Sequence, residues 1–63
     1  MTIHLNEIRK FKDNSANRGK FGIVAHIEER LGVGTIFTIK ILDKDTTQLY
    51  NLYDLEKYSE FVQ

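Results

Sequence analysis

The chain has 63 residues, 41% hydrophobic and 29% charged, with no cysteine, proline or tryptophan. That length makes one domain over residues 1–63, near the size at which roughly 60% of the unfolded surface can be buried. The missing cysteines exclude a disulfide framework and a thiolate metal site. Net charge is zero, yet residues 1–20 hold five cations against two carboxylates and residues 21–63 hold four against seven, +3 and −3.

No stretch approaches the ~18 apolar residues of a membrane helix, and Thr2–Lys12 carries no uninterrupted apolar core of a signal peptide. A cytoplasmic protein without a membrane partner is the expectation. The hydrophobic fraction is high enough to build a folded core rather than a disordered chain.

In chain order, Ile3, Leu5, Ile8 and Phe11 are the first apolar positions. Their spacing admits a short helix from Asn6, but so short a helix is not stable alone, and a strand over Ile8–Lys12 is preferred. Asp13–Lys20 (DNSANRGK) is the clearest loop, because Asp, Asn, Ser and Gly each support turn conformations. Loops of this length on small barrels often carry binding residues, although an ordinary solvated connector reads equally well.

Phe21–Arg30 (FGIVAHIEER) and Thr35–Leu42 (TIFTIKIL) alternate apolar and polar residues and are rich in Ile, Val, Phe and Thr. That composition and period predict two strands of a hairpin whose tip is Leu31-Gly32-Val33-Gly34, with glycines for positive φ. Gly19 and Gly22 bracket the start of the second strand, where a bulge or tight bend is expected. Ile23, Ala25 and Ile27 form the cleaner inward face, with Val24, His26 and Glu28 outward; across the hairpin, Phe37, Ile39 and Ile41 point inward. The predicted core adds Ile8 and Leu55.

Asp43–Gln48 (DKDTTQ) is a second polar turn, leading to a short strand over Leu49–Leu52. Tyr53–Lys57 reads as a single helical or 3₁₀ turn capped by Asp54, and Tyr58–Val62 as the fifth strand. The predicted architecture is therefore all-β: a small five-stranded barrel with a long first loop and a helical turn before the last strand.

This order resembles the SH3-like small barrel, in particular KOW modules, Tudor-type domains and the photosystem I reaction-centre subunit IV. The residues that carry the likeness are Gly19-Lys20-Phe21-Gly22-Ile23-Val24, Asp54-Leu55-Glu56 and, at the first strand, Leu5–Phe11. Asn6 stands where many such domains carry glycine. The resemblance implies a fold and leaves the activity open, since this barrel hosts unrelated functions.

The residues give catalysis little to work with. Ser15 and Ser59 lie in no nucleophile-elbow pattern, and His26 sits on the outward strand face. His4, His26 and Glu28 are an incomplete zinc set. Asp43-Lys44-Asp45 opens like a calcium loop but lacks the required Gly and Glu. Neither glycine pair has the strand–helix setting of a phosphate loop. No enzyme activity, cofactor or metal is expected.

Two binding readings remain. Tyr50, Tyr53 and Tyr58 recur among Leu49, Leu52 and Leu55, and tyrosine is enriched on surfaces that bury against protein partners. A protein-binding module, accessory or regulatory and of bacterial or phage type, acting as monomer or homodimer, is the first reading. Completion of the core by Tyr50 and Tyr53 is the bland alternative. The second reading is a small nucleic-acid-binding protein using Arg9, Lys10, Lys12, Arg18 and Lys20, with Phe11 and Phe21 available to stack on bases. Against it, Phe11 and Phe21 are expected in core or semi-buried positions in a chain with only four Phe, and a net charge of zero with an isoelectric point near 6.7 is unlike the usual basic nucleic-acid module.

Overall fold

The computed structural model describes residues 3–63. Among them, five strands form one wholly antiparallel sheet, β1 (Ile8–Phe11), β2 (Phe21–Arg30), β3 (Gly34–Ile41), β4 (Thr46–Asn51) and β5 (Ser59–Phe61), in the order β4-β3-β2-β1-β5. One helix, α1 (Leu52–Tyr58), joins β4 to β5. The sheet ends are thus linked by a helix that packs back on β3 and β4. The all-β class, the long first loop and the helical turn before the last strand are as expected.

Each element forms for a local reason. In the hairpin, Arg30 and Gly34 face one another, and Gly32 (φ 80°) and Gly34 (φ 102°) supply the left-handed backbone its tip requires. Residue Asn6 adopts φ 70°, a conformation glycine takes readily and Asn better than most other residues. That geometry accounts for a turn at Leu5–Asn6 in place of the alternative helix, with β1 starting at Ile8. Helix α1 is capped by Asn51, whose side-chain oxygen accepts from the Asp54 N–H at 2.7 Å. The cap is therefore not Asp54, which lies inside the first turn.

The core comprises Ile3, Phe11, Val24, Phe37, Ile39, Ile41 and Leu55, with Ile27, Tyr50, Leu52 and Tyr58 packed partly against it. Phe37, Ile39, Ile41 and Leu55 match the expectation. On β2 the expected frame is displaced: Ile23 is half-buried, Ala25 exposed, and Val24, expected outward, is fully buried. The cause is a register shift between Val24 and His26 against β3, which leaves Ala25 without a cross-strand partner. This β-bulge lets Val24 (opposite Ile39) and Ile27 (opposite Phe37) share the inner face, and it bends the strand. Ile8, also expected in the core, is half-buried.

At Gly22 the strands cross closely. A Cβ there would lie 2.6 Å from Ile39 Cγ2 and 3.2 Å from Phe11 Cε2. Glycine is required by contact rather than by backbone angle.

Candidate functional site

Phe11, fully buried on β1, is the core ring against which Tyr50 packs. Tyr50 on β4 is half-buried, its ring centroid 5.6 Å from that of Phe11 at a 37° tilt. Its hydroxyl donates to Gln48 Oε1 (2.8 Å) and accepts from Asn17 Nδ2 (3.2 Å). Tyr58, the last residue of α1, is likewise half-buried. Tyr50 and Tyr58 line one depression together with Asn14, Ser15, Asn17 and Gln48.

The loop that closes this depression is ordered by its own side chains. Ser15 and Asn17 are turned inward, at 7% and 4% exposure. Ser15 Oγ accepts from the Asn17 N–H (3.0 Å), Asn17 Nδ2 donates to Gln48 Oε1 (2.7 Å), and Asn14 Nδ2 donates to the Lys57 carbonyl (3.3 Å). The segment after β1 is thus tied to β4 and to α1. A solvated connector would make no such ties.

Tyr53 stands apart. It is 71% exposed in the first turn of α1 and does not line the depression. The two outer tyrosines are bridged by Lys57, whose Nζ lies 5.8 Å from the Tyr53 centroid and 5.3 Å from that of Tyr58, within cation–π range. The result is an aromatic depression with amide walls, flanked by a helix face carrying Tyr53 and Lys57. Side chains of this kind supply apolar contact area and hydrogen bonding without a net charge at the centre.

The five cations near the first loop do not form one surface. Arg9 is buried, at 6% exposure. Its guanidinium pairs with the Glu7 carboxylate and donates to Ser59 Oγ (2.8 Å) and to the Ser59 carbonyl (3.3 Å). Lys20 is paired with Asp43 at 2.8 Å, and the hydrogen bond it donates holds the Asp43 carboxyl below the usual carboxylate range. The exposed remainder is Lys10, Lys12 and Arg18, with Lys10 Nζ 5.7 Å from the Phe21 ring centroid. Phe11 is unavailable for stacking, since its ring is 1% exposed.

Among the described residues no three His, Asp or Glu side chains converge as a metal site, and no helix is long and apolar enough to cross a membrane. Sequence reasoning missed Asn14, Asn17 and Gln48 as walls of the tyrosine site. The polar loop composition signalled a binding loop, but only the packing shows which side chains turn inward. Comparison with known proteins gives no match to a family model, a curated protein or a solved structure.

Proposed function

We propose that the chain is a non-enzymatic, SH3-like interaction module that binds a protein segment across the Tyr50–Tyr58 depression, with Tyr53 and Lys57 at its margin. The long loop and the helix ahead of the last strand, both features of the resemblance, support the SH3-like reading. The observation that carries the binding proposal is the depression itself: two half-buried tyrosines facing a loop pinned by Asn14, Ser15 and Asn17. A preorganised aromatic surface with amide hydrogen-bonding groups suits an extended peptide, whose backbone needs donors and acceptors and whose side chains need apolar contact.

The test is a display selection of random peptides on the folded domain, followed by titration of the recovered peptides into ¹⁵N-labelled protein. Shifts should cluster at Tyr50, Tyr58, Asn17 and Tyr53. Tyr53→Ala should weaken binding while the domain stays folded, because that side chain is largely exposed. Tyr50→Ala is a poorer probe, since it removes a ring packed on Phe11. Shifts confined to another face would overturn the assignment. Binding of single-stranded oligonucleotides at low salt instead, lost on Lys12→Glu with Arg18→Glu, would establish the nucleic-acid reading.

A further inference from the structure

Away from the tyrosines, the molecule carries an apolar projection and an apolar recess at opposite ends of one ribbon. The projection is the β2–β3 hairpin tip, where Leu31 is 105% and Val33 64% exposed. Single exposed aliphatics are common on protein surfaces. Here two occupy one four-residue turn, whose shape is set by Gly32, Gly34 and the bond donated from the Val33 N–H to the Arg30 carbonyl (3.1 Å). The recess lies at the other end of the same strands, where Ile8, Phe21, Leu42 and Val62 line a groove rimmed by the Lys20–Asp43 pair. Phe21, Leu42 and Val62 are 42%, 48% and 44% exposed.

We infer that the hairpin tip of one copy of this chain seats in the Phe21–Leu42–Val62 groove of another. Three observations support a second copy as the occupant. The tip offers two short aliphatic side chains on a narrow turn, and the groove offers an open apolar floor. The charges beside them are complementary. At the tip, Glu29 accepts from the Thr35 hydroxyl and has no cationic partner among the described residues; beside the groove, Lys10 lies over the ring of Phe21, opposite Glu60 on β5 but in no ion pair among the described residues. Finally, the net charge of zero opposes no approach of one copy to another.

Because the projection and the recess are separated by the ten residues of β2, about 30 Å of strand, a single copy cannot satisfy its own groove. The contact joins different surfaces of the two copies, unlike a patch that pairs with itself. That difference gives the proposal a distinctive test.

Sedimentation velocity on the full chain at low salt should show concentration-dependent association that weakens as salt rises. Leu31→Asp, which spoils the tip and leaves the groove intact, should raise the dissociation constant by about tenfold or more. Leu42→Glu, which spoils the groove and leaves the tip intact, should do the same, with Val62→Glu as a second groove variant should Leu42→Glu unfold. An equimolar mixture of tip and groove variants should form a two-chain complex that neither forms alone, since one good tip then meets one good groove. A wild-type chain monomeric at millimolar concentration, undiminished association of Leu31→Asp, or failure of the mixed variants to pair would overturn the inference. Tyr53→Ala should leave association unchanged, so this result stands or falls separately from the tyrosine site.

Discussion

Replacing Arg9 by Met tests whether a charge in the first strand serves the interior rather than the surface. The guanidinium pairs with Glu7 and makes two bonds to Ser59, whose hydroxyl in turn donates to the Leu55 carbonyl in α1. The side chains of Arg9 and Glu7 are only 8% and 3% exposed. Methionine fills much of the same volume but leaves the Glu7 carboxylate buried with the His4 N–H, 3.1 Å away, as its remaining donor among the described residues. Removing one partner of a buried pair is expected to destabilise by about 3–5 kcal/mol. A domain of this size has ~3–9 kcal/mol in all at 0.05–0.15 kcal/mol per residue.

The assay is urea unfolding followed by circular dichroism. With a slope near 1 kcal/mol per molar for so small a domain, the midpoint of Arg9→Met should fall by about 3 M, or the variant should be unfolded at the outset. The paired substitution Glu7→Leu with Arg9→Met keeps the result interpretable. An apolar pair in place of a buried ion pair is often neutral or stabilising, so the double variant should return to within ~1 kcal/mol of the wild type, and the cycle should show strong coupling. A loss below about 1 kcal/mol in the single variant, or a double variant as weak as the sum of its parts, would refute the account of Arg9 as an interior residue.

Three further outcomes follow from particular contacts. Gly22→Ala should destabilise by about 1–3 kcal/mol in the same unfolding assay, because its Cβ would press on the fully buried Ile39 and Phe11. Val24→Ala should cost about 2 kcal/mol from two buried methyl groups and the space they leave, whereas Ala25→Ser should change stability by less than ~0.5 kcal/mol at an exposed site. For Asp43, whose carboxyl is held down by the bond from Lys20, the small stabilisation is present at and above the ordinary carboxylate range and is lost as pH falls below it. Its titration midpoint by NMR should lie below that of an unperturbed Asp and rise in Lys20→Ala.

The two long strands were legible because their period-two pattern extends over more residues than any competing signal. β2 spans Phe21–Arg30, the range expected. Its inward face was misread, because Ile23, Ala25 and Ile27 make an unbroken odd-numbered apolar set, whereas the inner face is shared by Val24 and Ile27 from different frames. A one-residue bulge decides between frames, and counting alternation cannot register it. Asn51 as the helix cap was hidden because Asp54, a good capping residue by type, lies inside the first turn of a helix that starts at Leu52, and it is Asn51 just before that start whose side chain accepts from the Asp54 N–H. Arg9 read as a surface cation because its partner Ser59 lies fifty positions away in sequence. The tyrosines were visible as a cluster, but whether each served the core or the surface depended on contacts with Phe11 and the first loop.

That last dependence shows how so small a domain divides its apolar side chains. Among the described residues seven hydrophobic side chains are buried, Tyr50 and Tyr58 pack partly against them, and Asn17 and Gln48 satisfy the Tyr50 hydroxyl. The same packing that completes the core therefore builds the wall of the depression, and substitutions in it change stability and binding together. Tyr53 and Leu31 lie outside this overlap, at 71% and 105% exposure, and truncating either removes little interior contact. Loss of binding at Tyr53 or of self-association at Leu31, with an unchanged unfolding midpoint, would therefore report on recognition alone, while the same losses at Tyr50 would confound recognition with folding.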